Sequence, residues 1–218
     1  PMSCVIWNET NYPSQWTRVG EVHTTNGVRA TFSYGVGSAL DIDVKVSING
    51  GPWQVSGSRT MTNSTSTAVT WPTLTGTSGY GREVESQFDY RRRYWVCPDA
   101  TEFTEVYAVR FVGGTDWGAS LYGLDDRPWQ EIEAGRWGHW ARYLAQSSYR
   151  RTVAEGKRHN AVVVLNVSGY YLTLGATMNY NSYTTIAYSF GSTYSHYYLY
   201  DNCASCSQAF QTIYVSHR

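Results

Sequence analysis

Between Leu40 and Gly57 the chain reads LDIDVKVSINGGPWQVSG. Leu40, Ile42, Val44, Val46 and Ile48 alternate with Asp41, Asp43, Lys45 and Ser47, the period of two of a strand with one buried face. Asn49, Gly50, Gly51 and Pro52 supply positive-φ residues and a fixed φ, and Trp53 and Val55 resume the alternation. The pattern predicts a hairpin of strands 40–48 and 53–59. Comparable runs, separated by turn residues, predict strands near 18–24, 28–36, 66–71, 82–96, 103–112, 161–174, 183–190, 194–200 and 208–215. This rhythm is that of an all-β, antiparallel β-sandwich. Its expected core includes Ile42, Val44, Val46, Phe88, Val163 and Leu165.

Strand 82–96 separates its faces. Val84, Phe88, Tyr90, Tyr94 and Val96 fall on one; Glu83, Glu85, Gln87, Asp89, Arg91 and Arg93 fall on the other. The run Ala161–Leu165 (AVVVL) is apolar on both faces, as expected of a central strand. Two segments break the rhythm. Residues 125–146 hold Trp129, Trp137 and Trp140 and are expected to form a long inserted loop with one helical turn. Residues 1–20 show no sustained period and are expected to be an irregular arm, with one sandwich domain over 21–218. The arm offers Val5, Ile6, Trp7, Tyr12 and Trp16 as anchors for a protein partner. The competing reading staples it to the body through Cys4, with its Trp residues covering core.

The 218 residues suffice for one large β domain with a real core. Lys and Arg number 17, as do Asp and Glu, so no net field draws the chain to nucleic acid or anionic lipid. Nine Trp and nineteen Tyr, with abundant Ser, Thr and Gly, match extracellular β-proteins. No apolar run is long enough for a membrane helix. If the chain is secreted, its leader precedes this numbering.

Four cysteines, Cys4, Cys97, Cys203 and Cys206, allow three pairings. The Cys203–Cys206 spacing matches a redox motif, but a strand-like segment precedes it rather than the setting such motifs need. One close pair does not make a zinc site. Structural disulfides fit best, as Cys203–Cys206 with Cys4–Cys97, or with Cys97 joined to the C-terminal pair.

No cofactor fingerprint, nucleophile elbow or metal-binding His pair is present, and no cofactor is expected. The best candidates for catalysis are Glu131, Glu133 and His139 in the Trp-rich segment, since two carboxylates beside aromatics can cleave a glycosidic bond. Acids two residues apart are also common on surfaces, and the chain is read as non-catalytic. Three glycosylation-type triplets, at Asn8, Asn63 and Asn166, are read as chance in a Ser/Thr-rich chain. Ten Tyr fall between Tyr170 and Tyr214; flat rings with polar tips suit protein or glycan contacts, and β-propensity alone also enriches them.

The Ser/Thr-rich segment 56–79 resembles the hairpins of β-pore-forming toxins such as the aerolysin family. A membrane strand needs apolar residues at alternate positions over about 9–11 residues. Between Ser56 and Thr67 only Met61 is clearly apolar, so a solvated edge strand fits better.

A wider resemblance covers about two-thirds of the chain, through residues 26–72, YRRRYWVC (90–97), EVYAVRFVGG (105–114) and 148–190. These blocks resemble small secreted actinobacterial β-proteins similar to the adaptor subunit of umbrella-shaped toxin particles. The resemblance implies a secreted adaptor that joins protein subunits of an extracellular complex; no stable membrane insertion is expected, on the strand pattern above. The close C-terminal cysteines and the Trp-rich segment depart from that group.

Overall fold

A computed structural model describes residues 3–34, 39–47, 60–64, 69–70, 72–75, 80–121, 127–153, 158–167, 170–180, 184–201 and 213–218. In chain order the elements are β1 (Val5–Thr24), β2 (Val28–Tyr34), β3 (Ala39–Ser47), β4 (Thr60–Ser64), β5 (Val69–Thr70), β6 (Leu74–Thr75), β7 (Tyr80–Val96) and β8 (Glu102–Leu121). They continue as α1 (Trp129–Glu133), β9 (Trp140–Leu144), β10 (Ser148–Val153), β11 (Arg158–Val167), β12 (Tyr170–Tyr180), β13 (Thr184–Phe190), β14 (His196–Tyr200) and β15 (Tyr214–His217). The fold is all-β and sandwich-like, as the alternation predicts.

Among the described residues, four antiparallel sheets have the orders β1-β7-β8, β10-β13-β2-β5 with β6 also on β2, β11-β12-β3-β4, and β15-β14-β9. The first is a long ribbon with strands of 20, 17 and 20 residues. Its length lets it lie against β2 at one end of β1, and place β1 against β11 and β8 against β3 and β4. One core joins Val22, Val84, Phe88, Tyr90, Val106 and Ala108 of the ribbon to Ala30 and Phe32 of β2, Tyr188 and Phe190 of β13, and Leu199 and Val215 of the last sheet. A stack of aromatic rings, Tyr188–Phe190–Tyr197, runs through it.

The faces of β7 separate as expected: Val84, Phe88 and Tyr90 are buried, and the charged set stands on the other side. Tyr94 and Val96 are only half-buried. Ser86 and Arg92 join the buried row.

Four expectations are corrected. Residues 5–20 are not an irregular arm: they belong to β1, which runs unbroken through the expected boundary at residue 20. Irregular steps in the ladder at Ile6/Asn8, Tyr12/Gln15 and Arg18/Gly20 hide its period, because each shifts the side chains against a strict alternation. The segment 125–146 is not simply a loop. It contains the expected helical turn, α1, but also β9, which pairs with β14 from Leu144↔His196 to Trp140↔Tyr200. Third, among the described residues Ala161–Leu165 holds the outer position of its sheet rather than a central one, because β11 pairs there with its hairpin partner β12 alone. Fourth, the expected strand 161–174 is two strands, β11 and β12.

Strand β3 forms where the alternation predicts. Its partners are β12, with Val46↔Leu174 and Ile42↔Met178, and β4, with Ile42↔Met61. The expected return strand 53–59 lies outside the described residues, as do the side chains of Ile42, Val44, Val46, Val163 and Leu165. Phe88, from the same expected core, is fully buried.

Candidate docking face

The first half of β1 lies on β7 with no buried residue before Thr17. Val5 pairs with Val96, Ile6 with Trp95 and Asn8 with Tyr94. Immediately beyond this ladder, Cys4 is bonded to Cys97, one of the two expected pairs; Cys203 and Cys206 lie outside the described residues. The ladder and the disulfide fix a tip on which Val5, Ile6 and Trp7 are 58%, 42% and 75% exposed. Trp7 falls in a step of the ladder between Ile6 and Asn8, so no residue of β7 stands opposite it.

Behind the tip is a belt of paired charge in which two guanidinium groups, Arg91 and Arg93, share the Glu9 carboxylate. The Arg93 Nε donates to Glu9 Oε2 at 2.7 Å, and Arg91 Nε lies 3.4 Å from Glu9 Oε1 while donating to Asn11 Oδ1 at 2.9 Å. The Arg93 hydrogen bond holds the Glu9 carboxyl below its ordinary range and raises the guanidinium. The Arg93 guanidinium also sits 5.4 Å from the Tyr107 ring centroid, a cation–π arrangement.

At the next level both flanking strands are irregular. On β1, Pro13 and Ser14 fall in the step from Tyr12 to Gln15. Pro13 lacks an N–H, which an edge strand tolerates. Ser14 takes a positive φ of 52° and donates its N–H to Asp89 Oδ1 at 2.9 Å. On β8, Val109 is the extra residue between Ala108↔Tyr90 and Arg110↔Asp89. Arg110 donates twice to Asp89 Oδ2, at 2.6 and 3.0 Å. The Ser14 amide, then Arg110, hold the Asp89 carboxyl below its usual range. Between the two irregularities opens a cleft of about 260 Å³ lined by Asn11, Tyr12, Pro13, Asp89, Tyr90, Arg91 and Val109.

Beyond the cleft the face becomes apolar again. Trp16, Val109 and Val112 are each about two-fifths exposed. The Trp16 ring reaches across β7 towards β8, where a Cβ added at Gly114 would lie 3.5 Å from both the indole and Gln87. Four of the five expected anchors, Val5, Ile6, Trp7 and Trp16, are therefore exposed on one strand. Tyr12 is not: it is half-buried and packs against the core. Sequence reasoning missed the cleft and the pair Val109 and Val112. The available signal was Gly113-Gly114 inside a strand pattern, which marks a bulge.

The residues weighed for catalysis are not brought together. Glu131 faces Arg136 at 3.6 Å, whereas Glu133 accepts the Tyr198 hydroxyl at 2.7 Å; positions two apart on a helix do not share a face. His139 is held by the buried Asp201, through its N–H to Oδ1 and its Nδ1 to Oδ2, both 3.1 Å. No group of three or more metal-ligating side chains occurs among the described residues. Comparison with family models, characterised proteins and solved structures finds no match, so the face is read from its geometry.

Proposed function

We propose that this chain is a secreted, non-catalytic adaptor that joins protein subunits of an extracellular toxin-like complex, with the outer half of β1 as its docking element. The observation that carries this reading is Val5, Ile6 and Trp7 exposed together on a strand end fixed by the Cys4–Cys97 bond. A rigid apolar cluster loses little conformational entropy on binding. Trp is the residue type most often found at the centre of an interface's binding energy. The belt's charged groups are engaged with one another, so it suits the polar rim of a contact. The Cys4–Cys97 disulfide favours an oxidising compartment, and no described helix is long and apolar enough to cross a membrane. The resemblance to adaptor subunits of umbrella-shaped toxin particles points to the same role.

The test is capture from native culture medium, with the full oxidised chain as bait. Trp7→Ser, and the triple change Val5→Ser/Ile6→Ser/Trp7→Ser, should lose the co-purifying subunit while melting like the parent. A hot-spot Trp contributes about 2 kcal/mol or more, roughly a thirtyfold loss of affinity. Undiminished capture by the triple variant defeats the proposal.

A further inference from the structure

The end of the molecule built by α1, β9 and β14 carries a second surface that the docking face does not use. Helix α1 lays Ile132 on Tyr198 and Tyr200, and Trp129, Trp137 and Tyr214 close around them. Two of the indoles are covered by guanidinium groups: Arg218 stands 3.9 Å over Trp129 and Arg127 stands 4.1 Å over Trp137. Trp140 keeps 38% of its surface open, with its ring tilted against Tyr198 at 6.2 Å.

Strand β9 alternates exposed and half-buried residues, so Trp140 and Arg142 share its outward face. The Arg142 side chain is half exposed, and its Nη1 lies 3.8 Å from Glu133 Oε1. The same oxygen accepts the Tyr198 hydroxyl at 2.7 Å. Tyr198 is fully buried, so the hydrogen bond that orients the carboxylate comes from a fixed group. The result is an open indole beside a pre-positioned acceptor and a forked donor.

We propose that this ledge binds a neutral pyranose, with the sugar's C–H face on the Trp140 indole, one hydroxyl donating to Glu133 and a neighbouring hydroxyl accepting from Arg142. Each sugar hydroxyl is both donor and acceptor, so adjacent hydroxyls match a carboxylate and a guanidinium set side by side. The two side chains cancel in charge, which disfavours an acidic or basic sugar. An exposed indole offers a flat apolar face for the sugar's C–H groups, with hydrogen-bonding side chains beside it for the hydroxyls. On β9 the exposed large apolar residues, Trp140 and Leu144, flank Arg142 on the same face.

The experiment passes the full oxidised chain over agarose bearing mannose, galactose or N-acetylglucosamine, with elution by the free sugar. Retention on at least one resin is expected. Trp140→Ala and Arg142→Ala should each weaken it at least tenfold, with unchanged melting and unchanged capture of the protein partner through β1. Trp140→Phe, which keeps a flat ring, should retain part of the binding. Absence of retention on all three resins, or undiminished retention in both alanine variants, overturns the proposal.

Discussion

The hydroxyls of Thr17 and Tyr90 lie 2.8 Å apart in the core, joining β1 to β7 at the point where β1 first becomes buried. Both residues are essentially inaccessible to solvent, and burial raises the Tyr90 hydroxyl's pKa well above its ordinary value. Tyr90→Phe leaves the Thr17 hydroxyl with only its longer contact to the Gln15 carbonyl, 3.3 Å. The variant should lose about 1 kcal/mol in urea unfolding. Adding Thr17→Val should cost less than the two single losses summed, because both partners are then gone. Strict additivity shows that the pair does not interact.

The Cys4–Cys97 bond spans 93 residues of sequence, and constraining so long a loop in the unfolded chain stabilises by about 4–5 kcal/mol in the chain-entropy view. Cys4→Ser/Cys97→Ser should lower the denaturant midpoint, and hydrogen exchange should rise first along Val5–Tyr12. Deleting residues 1–10 removes this bond together with the rungs from Val5↔Val96 to Thr10↔Arg92. Truncation therefore unsettles the ribbon as well as any docking. An exchange pattern unaltered by the double Ser change shows that the ladder holds the tip without the bond.

Acid should loosen the charged belt. Glu9, through its hydrogen bond from Arg93, and Asp89, through the Ser14 amide, both have folded pKa values below their ordinary 4.5 and 3.8. For a depressed carboxyl the stabilisation is full above the unfolded value and is lost as pH falls through the folded one. The contribution is modest because the pairs are solvent-accessible. Urea midpoints measured at pH 6 and at pH 3 should fall further for the parent than for Asp89→Asn. Glu85 works in the opposite sense: burial raises its pKa, so acidification relieves part of the loss. An equal fall in parent and variant excludes Asp89 as a source.

What the chain's alternation discloses is where faces are regular. Strand β7 was legible because buried and half-buried residues alternate without interruption from Glu83 to Arg93. Strand β1 was not, since Pro13 and Ser14 interrupt the period while Ser14 still satisfies its amide through Asp89. Strand β9 was obscured by inverted polarity. It turns Trp140 and Leu144 outward, and its inward Tyr143 stacks on Phe190 with centroids 5.2 Å apart. The cleft was harder to read, since Asn11 lies on a strand far in sequence from the β7–β8 hairpin that carries Asp89 and Val109. The Cys4–Cys97 pairing was among the expected ones, yet cysteine count alone leaves three choices open.

The remaining prediction concerns membranes. Strand β4, Thr60–Ser64, is the outer strand of its sheet among the described residues and reads TMTNS. A strand facing lipid needs apolar residues at alternate positions for about 9–11 residues, and Met61 alone meets that need between Ser56 and Thr67. Placing Thr and Asn side chains in hydrocarbon costs free energy at each unpaired group. The protein should therefore release no encapsulated dye from zwitterionic or anionic vesicles, at pH 7 or pH 5. The exposed tip residues allow superficial adsorption, so vesicle co-sedimentation is recorded beside the dye signal. Dye release above background that survives Trp7→Ser would locate a membrane-active segment elsewhere in the chain, and a β-pore-forming activity would then replace the adaptor reading.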